Sequence, residues 1–172
     1  MPSFEDIQKQ EANEAETTRL LSFDTVDAFE IGSLVRLKAL EKYPNKPVVV
    51  DVSLASGQVL FHATTPVAGS SLDNDIWIKR KAKTVFRFGW SSYFMGQKLA
   101  YKKKSLEQAN FCSETEYATH GGAVPIRIEG FDGVLAVLVV SGLAQEQDHQ
   151  LAIEGLQEYR ANQGRTRADS LD

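Results

Sequence analysis

The chain has 172 residues, 42% of them hydrophobic and 24% charged, with a formal net charge of −4. Folding at this length removes roughly two-thirds of the unfolded surface from water, so one hydrophobic core suffices without a disulfide or metal staple. The acidic balance excludes a general nucleic-acid binder, and the longest apolar run, Val134 to Val140, falls far short of the roughly 20 residues a membrane span requires. The lone Cys112 cannot pair within the chain. The acidic start, Met1 to Asp6, lacks the basic and apolar stretches of a signal peptide. Both features place the expected location in the cytoplasm.

Ser3 followed by Asp6 forms a capping-box start, and Glu-, Ala- and Gln-rich residues carry a helix to about Leu21. Its weakly apolar face predicts a peripheral element over residues 1–22. Asp24 or Thr25 caps a second helix, with Val26, Phe29, Leu34, Leu37 and Leu40 as its expected buried face, ending before Pro44. The β-branched run Pro47 to Leu54, the turn Ala55-Ser56-Gly57 and the return Gln58 to Thr64 read as a hairpin.

Asp73 and Asp75 open a helix that runs to about Phe88 and stops at Gly89, and Ser91 restarts a shorter one through Leu99. Another turn is expected near Ser105 to Ala109. Ala123 to Ile128 and Val134 to Val140 form a second hairpin. Its second strand is apolar throughout and belongs mid-sheet, with both faces covered. In the last helix Ala152, Ile153, Leu156 and Tyr159 mark the buried face. Beyond Asn162 the chain is polar, and residues 162–172 are expected as a flexible tail. Two hairpins interleaved with helices predict an α/β fold of the α+β type: one three-layer domain over residues 23–161, with a mostly antiparallel sheet flanked by helices.

Charge is segregated along the chain. Nine of the 19 basic residues lie between Lys79 and Lys104, while Glu5 to Glu30 holds eight acids and two bases. Arg80, Lys83 and Arg87 form one helical stripe. Guanidinium forks suit phosphates and carboxylates, so the stripe is a candidate anion site, with pairing between subunits as the alternative. His120 precedes Gly121 and Gly122 at a strand entry, where the glycines would let backbone approach a ligand and the imidazole could coordinate heme iron; the alternative is a tight turn held by His120. His62 alternates with Phe61 and reads as a structural or surface histidine. Asp148 and His149 sit in the first turn of the last helix, where acids complement the dipole. Ser141 reads as the N-cap of that helix, and Asp73, Asn74 and Asp75 as helix caps rather than a cation site. Cys112 as a nucleophile would need a base that the sequence does not locate.

Four blocks carry a family resemblance: Leu72 to Lys81 (LDNDIWIKRK), Arg87 to Gly96 (RFGWSSYFMG), His120 to Ile126 (HGGAVPI), and Val140 to Leu143 (VSGL) followed by Asp148-His149. In this order they resemble the uncharacterised-protein-family branch of the heme-degrading-domain superfamily, whose relatives include the HbpS and GlcG proteins. The resemblance covers about Val26 to Tyr159. It implies a profilin-like sheet flanked by helices, assembly into homo-oligomers larger than a dimer, and heme as a possible cofactor near His120 with propionates toward Arg80 or Arg87. The final residues, Leu171 and Asp172, are similar to the ends of cytosolic heat-shock chaperones that dock into tetratricopeptide-repeat clamps. A repeat-clamp co-chaperone is therefore an expected partner, and the expected role is a protein-interaction platform.

Overall fold

Residues 1–169 are described by the computed structural model. In chain order the elements are α1 (Phe4–Thr17), β1 (Arg19–Leu20), α2 (Thr25–Lys42), β2 (Val49–Leu54), β3 (Val59–Thr64), α3 (Leu72–Phe88), α4 (Ser92–Lys102), α5 (Leu106–Asn110), β4 (Ala123–Ile128), β5 (Ala136–Ser141) and α6 (Gln145–Asp169). The β-branched strands pair into one sheet of order β1-β4-β5-β2-β3, antiparallel except where β1 joins β4. All six residues of β5 are buried at its centre, as the apolar run Ala136 to Val140 requires.

Alternation along the strands sends side chains to two layers. Val50, Val52, Val124, Leu138 and Val140 pack with Ile31 and Val35 of α2 and with Ala152 and Leu156 of α6. On the opposite face Val49, Val137 and Val139 meet Ile78 and Val85 of α3. Helix, sheet and helix make the three expected layers. Among the described residues no helix is long and apolar enough to cross a membrane.

Five local expectations need correction. The first helix ends at Thr17 rather than Leu21, because Arg19 and Leu20 leave it to pair in parallel with Arg127 and Ile128. Its inner side is also more than peripheral: Glu14, 1% exposed, accepts hydrogen bonds from the backbone N–H of Ser91 (3.1 Å) and from its hydroxyl, and burial raises its carboxyl pKa. In α2 the buried arc is Ala28, Ile31, Gly32, Val35 and Ala39, whereas Val26, Phe29 and Leu37 are 61%, 62% and 55% exposed. Small residues win that arc because they admit close packing: a Cβ on Gly32 would lie 2.3 Å from the Phe61 ring. Ser141 closes β5 instead of capping α6, which starts at Gln145, and α6 continues well past Asn162 to Asp169. Leu171 and Asp172 lie outside the described residues.

Candidate functional site

Where α3 passes over the start of β4, the end of β5 and the first turn of α6, a cleft of about 250 Å³ opens. Its floor is Lys81. This side chain sits at the 78/81/85 spacing of the inner arc of α3 and is 2% exposed. Its ammonium donates to the carbonyls of Val140 (2.8 Å) and Gly121 (3.0 Å) and faces Asp148 Oδ2 at 3.5 Å. Three N–H groups thus meet three acceptors, the condition under which a buried lysine is tolerated. Asp148 also accepts the Leu143 N–H at 3.1 Å, which ties the pair to the start of α6. Burial lowers the Lys81 pKa, opposed by the Asp148 charge. Burial likewise raises Asp148 to about 6, opposed by Lys81 and by N–H donors.

The two glycines after His120 serve this knot. Gly122 has φ +125°, and a Cβ there would lie 2.3 Å from the Val140 carbonyl and 2.6 Å from the Lys81 ammonium. A Cβ on Gly121 would lie 2.1 Å from the Gln145 carbonyl. Both are pressed against the protein's own backbone, so the close approach they permit is to α6 and β5.

His120 stands at the mouth, its ring edge-on to Trp77 with centroids 4.9 Å apart. The Arg80 guanidinium covers the same indole at 4.5 Å and donates to the Glu114 carbonyl, while its buried Nε has no partner. Partial burial, then the Lys81 and Arg80 charges, lowers the His120 pKa and favours neutral imidazole. Among the described residues, the Trp77 indole N–H, the His120 ring nitrogens and the Ser141 hydroxyl make no hydrogen bond, although all three side chains line the cleft. These groups can recognise a ligand, and beneath them lies the Lys81–Asp148 pair, with Asp73 also in the lining.

The basic stripe is divided by the fold. Arg80 packs on Trp77 of the cleft, but Lys83 and Arg87 lie over the Tyr117 ring at 5.6 and 5.3 Å, with Lys83 3.3 Å from Glu116 and Arg87 donating to the Asn110 carbonyl. His149 points away from the cleft, stacked on Tyr93 at 4.7 Å, and burial lowers its pKa to about 4. Asn74 Oδ1 accepts the backbone N–H of Ser71, the N-cap of α3, at 2.9 Å, and no group of three acids, histidines or cysteines among the described residues could hold a metal ion. Cys112 is buried, with its thiol donating to the Asn110 carbonyl. Lys81 and Asp148 are the residues that sequence reasoning missed as a pair. The available signal was a lysine inside an apolar helical arc.

The cleft does not fit heme. Its volume lies below the roughly 300 Å³ at which ligand pockets begin, and the His120 ring is packed against Trp77 rather than aimed over a flat cavity. The cleft of one protomer therefore does not enclose a porphyrin.

Residues 23–157 match the profile of the haem degrading protein HbpS-like family. The chain belongs to this family. It is similar to the UPF0303 protein YBR137W of Saccharomyces cerevisiae, 47% identical over 137 residues covering 80% of this chain and 75% of the yeast protein. The crystal structure of the Ybr137w protein superposes with a TM-score of 0.86 at 42% identity, covering 91% of this chain and 88% of that one. A crystal structure of a PduOC–heme complex shares the fold at a TM-score of 0.61 and 18% identity, covering 81% and 94% of the two chains.

Proposed function

We propose that this HbpS-like protein is a cytoplasmic binding protein whose cleft beneath Trp77 and His120 takes a small anionic molecule. The observation that supports this reading is that three unpartnered polar groups, on Trp77, His120 and Ser141, line one cleft above the buried Lys81–Asp148 pair. The free donors take the anion's oxygens and set its orientation, with the Lys81 charge, offset by Asp148, beneath them. Native mass spectrometry after gentle purification tests this. A discrete adduct that weakens in Ser141→Val and Trp77→Phe is expected; a bare chain whose melting temperature ignores a panel of carboxylates and phosphates overturns it. Hemin added to the same samples separates the heme reading, which requires a Soret shift lost in His120→Ala.

A second reading is favoured by the exposed apolar arc of α2. Val26, Phe29 and Leu37 lie on one side of the helix, and Phe29 meets Phe61 of the edge strand β3 at 5.9 Å. Copies of the chain cover this arc in a homo-oligomer larger than a dimer, which then acts as a platform for other proteins. Light scattering that gives a 19.1 kDa particle overturns it. Such an assembly presents several copies of Leu171-Asp172 to a tetratricopeptide-repeat co-chaperone, and avidity raises weak docking of each tail. Calorimetry of full-length protein against a chain lacking those two residues tests the tail, with equal affinity as the adverse result.

A further inference from the structure

A second cleft, of about 650 Å³, lies between the β2–β3 hairpin and the outer flank of α3. It is separate from the Lys81 cleft and shares no lining residue with it. Its walls are apolar: Leu54 and Val59 from the hairpin, and Ile78, Ala82 and Phe86 from α3. One end is polar. Asp51, 3% exposed, is the cross-strand partner of His62, and its Oδ2 lies 2.9 Å from His62 Nδ1 while the Ser53 hydroxyl donates to Oδ1. From the first turn of α3, Asp75 brings Oδ1 within 3.4 Å of His62 Nε2.

We propose that this cleft binds an organic cation with an apolar body, aromatic or branched aliphatic, that carries one protonated amine. Two carboxylates against one imidazole leave a negative excess at the polar end in either protonation state of the histidine. Asp51 is held by Ser53 and His62 and cannot swing out to water. When His62 is protonated, Nε2–H points at Asp75 and the site keeps one net negative charge; when it is neutral and donates Nδ1–H to Asp51, its Nε2 lone pair faces Asp75 across 3.4 Å. An ammonium placed beside them donates to both, and these charge-assisted bonds are strengthened by the apolar carbon around them. The two lysines of the lining do not cancel the charge: Lys83 is paired with Glu116, and Lys79 is exposed, so both contribute mainly their aliphatic stems.

Calorimetry on the full chain with 4-phenylbutylamine, 4-phenylbutanol and 4-phenylbutyrate tests the proposal, since the three share one body and differ in the head group. The amine is expected to bind about tenfold tighter than the alcohol, the scale of one charge-assisted hydrogen bond, and the acid weakest. Asp75→Asn should remove that tenfold advantage and leave the alcohol unchanged. Its carboxylate is partly exposed, so the substituted chain keeps its core. Ala82→Phe should block all three by filling the wall. An amine that binds no tighter than the alcohol overturns the proposal, as does an Asp75→Asn effect equal on both. No binding by any probe, together with an oligomer that dissociates in Ala82→Arg, would instead assign the cleft to a contact between copies.

Discussion

Lys81 and Lys83 stand two residues apart on α3 under opposite conditions. The first is 2% exposed and spends every hydrogen on the protein; the second keeps 54% of its side chain in water and pairs with an equally exposed Glu116. Burial, far more than charge, separates a residue that fixes the architecture from one that decorates it. Removing a partner from a buried ion pair leaves a desolvated charge behind, whereas an exposed pair returns to water at little cost.

The largest expected effect comes from Lys81→Met, which strands the Asp148 carboxylate and two buried carbonyls. Chemical denaturation should show a loss of about 3–5 kcal/mol, and much of it should return in the Lys81→Met, Asp148→Leu double substitution, where no charge is left unpaired. Recovery there, against none for a comparable pair at Lys83 and Glu116, would sharpen the contrast.

Next in size is a pH effect hidden by compensation. Asp148 rises from 3.8 to about 6 on folding, so the native state binds the extra proton and stability falls as pH climbs through that window. His149 drops from 6.5 to about 4, so the unfolded state binds the extra proton and stability climbs over nearly the same range. The two slopes oppose each other in the native chain. Melting curves between pH 4 and 6.5 should be nearly flat for the parent, fall in His149→Phe and rise in Asp148→Asn, each by about 2–3 kcal/mol, since one pKa unit is about 1.4 kcal/mol.

Gly122→Ala forces a side chain into positive φ against the Val140 carbonyl and the Lys81 ammonium. A loss of about 1–3 kcal/mol, read by thermal denaturation, is expected from the backbone strain. The smallest effect belongs to Lys83→Ala. It should cost under about 1 kcal/mol and vanish in high salt, because both partners are exposed. A larger loss would place Lys83 among the structural residues and break the comparison.

Much of the fold was legible from periodicity and punctuation. The two hairpins, the central position of β5, the stop of α3 at Gly89 and the buried face of α6 each follow from a local pattern that the tertiary structure keeps. The failures have a common cause in distant partners. Arg19 and Leu20 carry no strand pattern of their own and become β1 only because the edge of β4 is there to pair with. In α2, counting large apolar residues selected the wrong arc, since packing against the sheet and α6 favours Ala and Gly. At the site, His120 and its glycines were visible as a motif, but their service to Lys81 was not, because the acceptors of that ammonium come from β4, β5 and α6.

The N-terminal segment gives the chain an unusual order of assembly. During synthesis α1 and β1 are made well before the elements they dock against: Glu14 waits for Ser91, and Arg19 and Leu20 wait for Arg127 and Ile128. Closing a loop of that span is slow compared with pairing β2 to β3 or winding α3. These early-made elements are therefore among the last to dock. Until they do, the nascent chain carries an open edge on β4 that another strand could take, so the interval before α1 locks is its period of greatest exposure to misassembly.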